Sequence, residues 1–146
     1  MKLECVVDAS VVVKLFIAEI HTPEAMALFD RLGASSTAVF YAPDLIYAEV
    51  IATLRKRALA EGYPNLRRDA ARLYEIPFQV TPCRELMLEA VNISMSHGIS
   101  SYDAMYVALS KQVSAPLITD DARLVRGLSG LPFDVRPLAE FNLPAE

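Results

Sequence analysis

Leu3-Glu4-Cys5-Val6-Val7-Asp8-Ala9-Ser10 decides how the rest of the chain is read. A short apolar run that ends in an acid fits a strand buried on both faces of a parallel sheet, with the acid at the strand's carboxyl end. Similar runs recur at Ala38 to Ala42, around Phe78 to Val80, at Pro116 to Ile118 and near Phe133 to Val135. Between them lie longer segments with helical spacing: Thr22 to Leu32, Pro43 to about Ala60, Asn65 to Glu75, Pro82 to Ser96, Ser100 to Lys111 and Asp120 to Leu128. Strands alternating with helices predict an α/β fold, a three-layer α/β/α sandwich around a central, mostly parallel sheet. The proline-bearing stretch from Pro137 to Glu146 reads as a surface-running end.

The 146 residues, 53% of them apolar, fit one globular domain over 1–146. Lys2 precedes an apolar run, but Glu4, Asp8 and Lys14 interrupt it, so neither a signal peptide nor a membrane span is expected. Cys5 and Cys83 belong to no metal-type or redox-type pair and read as free thiols of a soluble, cytoplasmic protein. The net charge of −4 argues at first against a nucleic-acid partner. Its distribution argues otherwise. Arg55, Lys56, Arg57, Arg67, Arg68 and Arg72 face only Glu61 and Asp69 within residues 55–72, a local +4 that leaves −8 for the remainder. Arg67 and Arg68 are the candidates for contact with a nucleic-acid backbone; the competing reading is a solvated face paired with Glu61 and Asp69.

Four acids carry the functional reading. In open α/β sheets ligands bind beyond the carboxyl ends of the strands, which is where Asp8 and Asp121 fall. Each of them also suits a turn or a helix cap. Glu49 lies in Leu45-Ile46-Tyr47-Ala48-Glu49-Val50-Ile51-Ala52 with no lysine or arginine within a helical turn, so a metal ion or a distant arginine has to balance it. Ser100-Ser101-Tyr102-Asp103 has the form of a capping box at the start of a helix uncharged until Lys111. Four converging carboxylates repel one another unless a cation joins them, and all-oxygen ligation selects Mg²⁺ or Mn²⁺.

These residues resemble a known family. Val6-Val7-Asp8-Ala9-Ser10, Ala42-Pro43-Asp44-Leu45-Ile46-Tyr47-Ala48-Glu49-Val50, Ser100-Ser101-Tyr102-Asp103-Ala104-Met105-Tyr106-Val107-Ala108-Leu109 and Leu117-Ile118-Thr119-Asp120-Asp121 occur in the order seen in PIN-domain ribonucleases, particularly the VapC-type toxins of toxin–antitoxin operons. The resemblance implies that Asp8, Glu49, Asp103 and Asp121 are the catalytic and metal-binding quartet, with Ser10 and Thr119 as supporting hydroxyls. The family's Thr-x-Asp spacing selects Asp121, with the adjacent Asp120 as the alternative. It further implies Mg²⁺ or Mn²⁺ dependence, cleavage of RNA, a homodimer and a cognate antitoxin of a type II pair. Self-association is also expected from the high apolar fraction. The alternative is a non-catalytic or RNA-processing PIN-like module that binds RNA or protein. A haloacid-dehalogenase phosphatase would want an aspartate where Ser10 stands, and a response-regulator receiver would want an acidic pair at the first strand; the chain has neither. His21 and His97 lie outside every motif.

Overall fold

The computed structural model describes residues 2–145. The elements follow one another as β1 (Glu4–Val7), α1 (Ala9–Val12), a 3-10 turn (Val13–Leu15), α2 (Thr22–Ala34), β2 (Val39–Pro43), α3 (Leu45–Glu61), α4 (Leu66–Glu75), β3 (Gln79–Thr81), α5 (Cys83–His97), α6 (Ser101–Val113), β4 (Leu117–Thr119), α7 (Ala122–Leu128), β5 (Val135–Pro137) and a 3-10 turn (Leu138–Glu140). All the pairings in the sheet are parallel, and the strand order is β3-β2-β1-β4-β5. The α/β/α expectation is therefore met. Right-handed crossovers put α1 to α4 on one face and α5 to α7 on the other, because the chain steps from β1 through β2 to β3 in one direction and then returns past β1 to β4 and β5 in the other.

This order creates the site. β1 pairs with β2 on one side and with β4 on the other, with Val6 opposite Leu117 and Val7 opposite Ile118. The sheet thus changes direction between β1 and β4, and the crevice beyond their carboxyl ends is where such sheets bind ligands. Cys5, Val6, Val7, Phe40, Ala42, Leu117 and Ile118 are wholly buried on these three inner strands. Each large aliphatic side chain so buried contributes roughly 1.5–3 kcal/mol, which fixes the strand ends that carry the acids. The uncharged stretch of α6 is buried as its sequence predicts, with Ala104, Tyr106, Val107, Ala108 and Leu109 nearly inaccessible. α3 stops at Gly62, whose φ of 69° is left-handed and whose N–H donates to the Ala58 carbonyl at 3.0 Å.

Two expectations are corrected. The run around Phe78 to Val80 is not buried on both faces: β3 is an edge strand with Gln79 and Val80 exposed, since only one neighbour covers it. The stretch from Pro137 is not a surface-running end either. Pro137 closes β5, Leu138 is buried, Phe141 and Leu143 pack on the core, and Arg31 Nη1 donates to the Pro144 carbonyl at 2.9 Å. The hydrophobic residues spaced between the prolines carry it back onto the body. Glu146 lies outside the described residues. No helix among the described residues is long and apolar enough to cross a membrane.

Candidate active site

Asp8 sits one residue beyond β1, with only 6% of its surface exposed. Its Oδ1 accepts from the Ser10 N–H at 2.8 Å and from the Ser10 hydroxyl, and its Oδ2 accepts from the Thr119 hydroxyl. The capping role is therefore real, since Asp8 is the N-cap of α1. It does not balance the charge. Burial pushes the Asp8 carboxyl up to about 6, against the pull of the Ser10 and Thr119 hydrogen bonds, and the nearby Asp103 carboxylate adds to the rise.

The other three acids come from three different helices. Glu49 is one turn into α3, half-buried, and accepts a 2.6 Å hydrogen bond from the Tyr106 hydroxyl on α6. Burial raises its pKa, and Asp8 and Asp103 raise it further while Tyr106 opposes them. Asp103 is in the first turn of α6, where its N–H donates to Ser100 Oγ at 3.0 Å; burial and then Asp121 raise its carboxyl. Asp121 caps α7, accepting from the Arg123 N–H at 2.9 Å and the Leu124 N–H at 3.4 Å. The structure thus brings all four predicted acids to one rim, close enough for Asp103 to be felt by Asp8 and Glu49 and for Asp121 to be felt by Asp103. Among the described residues, no lysine, arginine or histidine forms an ion pair with any of the four.

The donor chemistry fits a hard divalent cation: every available ligand is a carboxylate oxygen, and repulsion among the acids is the cost a cation would remove. As placed, no group of three or more His, Cys, Asp or Glu side chains among the described residues is close enough to hold a metal. That does not conflict with Mg²⁺, which keeps several waters and is held by one or two carboxylates together with substrate phosphate.

Ser10 and Thr119, the two hydroxyl residues singled out in the sequence, both lie against Asp8. Both hydroxyls donate to Asp8; Ser10 Oγ also accepts from the Asp120 N–H at 2.9 Å, and Thr119 Oγ1 from the Asp121 N–H at 3.0 Å. Asp120 faces a different set of partners. One oxygen is 2.9 Å from Lys14 Nζ and the other 3.0 Å from His21 Nδ1, and Lys14 is itself buried with Glu19 at 3.4 Å. Sequence reasoning missed Lys14, His21 and Tyr106. Tyr106 had a signal, since it stands one helical turn from Asp103 on the same helix. His21 had none, and its backbone is left-handed at φ 69°, an uncommon conformation for a residue other than glycine. His97 lies elsewhere, edge-on to Phe133 at 5.3 Å.

Of the basic stretch, Arg57 approaches this rim through Glu19 and Lys14. Arg57 reaches Glu19 at 3.4 Å and Glu61 at 3.0 Å, and Arg68 reaches the buried Asp69 at 3.6 Å. Arg67 and Arg68 are exposed on the first turn of α4, beyond the end of α3. At a rise of about 1.5 Å per residue, that end of α3 is roughly 18 Å along the helix from Glu49.

A parallel sheet in this order with carboxylates gathered at its switch point defines a class of protein. The chain belongs to the family described as PIN domain, whose sequence profile matches residues 5–127. It is 32% identical over 136 residues to Ribonuclease VapC1 of Mycobacterium tuberculosis strain CDC 1551 / Oshkosh, covering 91% of this chain and 96% of that protein. Ribonuclease VapC3 of Pyrobaculum aerophilum is 29% identical, covering 88% of this chain and 98% of that one. Among solved structures, a chain of a toxin–antitoxin complex from Klebsiella pneumoniae has the same fold, with a TM-score of 0.65 at 17% identity over 94% of this chain and 99% of that one.

Proposed function

We propose that the acidic rim is the active site of an endoribonuclease that uses Mg²⁺ or Mn²⁺, and that the protein is the toxin of a type II toxin–antitoxin pair. The observation that carries this reading is Asp8: a buried carboxylate at the sheet's switch point, facing other carboxylates and ion-paired to no cation among the described residues. Asp8, Glu49, Asp103 and Asp121 would hold the divalent ion, one or two of them directly and the others through its bound waters, and the ion would supply charge neutralisation and an acidified water for attack on a phosphodiester. The chain's own part is positional. Ser10 and Thr119 orient Asp8 from both sides, Tyr106 holds Glu49, and Asp121 is fixed by the backbone of α7. Each hydroxyl stabilises the ionised acid, so the site is ready to accept a cation near neutral pH.

Membership beside ribonucleases named VapC supports RNA as the substrate, and the fold shared with a chain of a toxin–antitoxin complex supports an antitoxin as the partner. The exposed row Met87, Leu88, Val91 and Met95 on α5 supports a homodimer. Both cysteines are free, which supports a cytoplasmic location. Arg67 and Arg68 remain the proposed backbone contacts at the distal end of a longer RNA. The intact quartet favours this reading over a non-catalytic module. Single-stranded RNA incubated with the purified protein should be cut in Mn²⁺ or Mg²⁺ and left whole in EDTA. Equal cutting in EDTA would remove the metal from the mechanism, and no cutting under any condition would leave the non-catalytic module standing.

A further inference from the structure

Two open cavities lie on either side of the Lys14–Asp120–His21 cluster, and their charged groups differ in one respect. The first, of about 330 Å³, is lined by Ser10, Lys14, Glu19, Thr53 and Asp120. Its charges are already spent on one another, Lys14 on Glu19 and Asp120, and Glu19 also on Arg57. The second, of about 280 Å³, is lined by His21, Asp121, Val125, Arg126, Pro137 and Glu140 among others. Here Arg126 and Glu140 border the same space, yet neither is ion-paired to the other or to any described residue. A cation and an anion left unpaired across a cavity are both available to something placed between them.

The cavity's position says what that is. Asp121 belongs both to the acidic rim and to this wall, so whatever fills the cavity is one short step from the scissile phosphate. Val125 and Pro137 give an apolar surface, and His21, tied through Nδ1 to Asp120, adds a π face. Unpaired RNA bases are read in this way, by stacking on flat side chains and hydrogen bonding along their edges. Among the four bases only guanine offers two adjacent donors, N1–H and N2–H, for one carboxylate together with two adjacent acceptors, O6 and N7, for one guanidinium fork.

We infer that this cavity is a nucleobase subsite for guanine, in which Glu140 accepts from N1–H and N2–H and Arg126 donates to O6 and N7 of a nucleotide flanking the cut. The inference rests on the nuclease reading above and adds the base preference to it. It also gives a role to the returning tail, whose 3-10 turn carries Glu140 to the cavity.

The test compares oligoribonucleotides that differ only at the two nucleotides flanking the cut, cleaved in Mn²⁺ by the wild type, Glu140→Gln and Arg126→Gln. At one of the two positions the wild type should favour guanosine by about tenfold or more in kcat/KM. Inosine, which lacks the N2 amine, should lose part of that preference, and each variant should lose most of it. Ratios within about twofold at both positions, or variants that keep the wild-type ratio, would overturn the subsite. Both side chains are exposed, so neither variant threatens folding. A binding arm separates this inference from the nuclease reading: in Ca²⁺, fluorescent oligonucleotides centred on guanosine should bind more tightly than adenosine-centred ones, and Glu140→Gln should equalise them. That result would support the subsite even if no RNA were cut, and equal binding by the wild type would overturn it. Tight binding of free GMP without any guanosine preference in RNA would also overturn it, in favour of a nucleotide effector site.

Discussion

Asp8 and Asp120 stand on the same rim, joined through Ser10, yet the fold treats them in opposite ways. Ser10 Oγ donates to Asp8 and accepts from the backbone of Asp120. Asp120 receives Lys14 and His21, while Asp8 receives two hydroxyls and an N–H and no cation. A carboxylate supplied with its own ammonium is electrostatically complete and has little to gain from a metal. One supplied only with neutral donors is ordered but still in need of charge. On the proposed reading, the difference makes Asp8 a ligand and Asp120 an anchor for the loop that carries Asp121.

The largest effect should come from removing the uncompensated member. Asp8→Asn is expected to lower cleavage by at least about a hundredfold, in the range seen when a group acting on the developing charge is deleted. Its stability should move the other way. Because the folded pKa of Asp8, about 6, is raised above its ordinary 3.8, the native state holds the proton more tightly than the unfolded chain. Stability is then fully present below the unfolded value and is lost as pH rises through about 6, a difference of about 3 kcal/mol at neutral pH. Urea melts in EDTA from pH 4 to 7 should show wild type losing stability relative to Asp8→Asn. Saturating Mn²⁺ should close most of that gap, since binding at a hundredfold excess over Kd adds about 2.7 kcal/mol to the native state that the variant mostly lacks. Parallel curves in both media would make Asp8 a cap and nothing more.

The anchor side is broken by Lys14→Met. This leaves Asp120 and Glu19 without the ammonium between them, at a cost of up to about 3 kcal/mol, moderated because both carboxylates keep some contact with water. Asp120→Asn made in that background should recover part of the loss, and a double-mutant cycle from denaturant melts measures the coupling. Strictly additive losses would show that Lys14 and Asp120 only happen to be close.

Tyr106→Phe should have the smallest effect and sharpens the comparison at Glu49. The hydroxyl is the only hydrogen-bond donor to that carboxylate among the described residues. Removing it should weaken Mn²⁺ binding by about 10- to 100-fold, as for other groups that orient a ligand, with the fold intact. Because Tyr106 opposes the rise in the Glu49 pKa, the acid limb of the cleavage profile should also move to higher pH. A profile that stays in place would assign Tyr106 to packing alone.

Much of this was legible in single segments. The runs ending at Val7 and Ile118 gave strands, and the S-x-x-D pattern at Ser100 gave the cap at which Asp103 sits. The segment after Asp8 was harder, because four residues of α1 and one 3-10 turn are too short for helical periodicity to show. Edge exposure of β3 was hidden because a strand's neighbours are not written in its own residues.

The sequence by itself determined the parallel α/β architecture, the order of its elements and the four acids worth watching, since these follow from local periodicity and from motifs a few residues long. Only the tertiary structure decided which aspartate of the 120–121 pair is already neutralised, that Tyr106 holds Glu49 across 57 positions, and that the tail returns to wall a cavity beside Asp121. The physical reason is range. A helix or a strand is chosen by interactions within a turn or two, whereas the ionisation of a buried acid is set by whichever side chains the fold delivers to it from elsewhere in the chain.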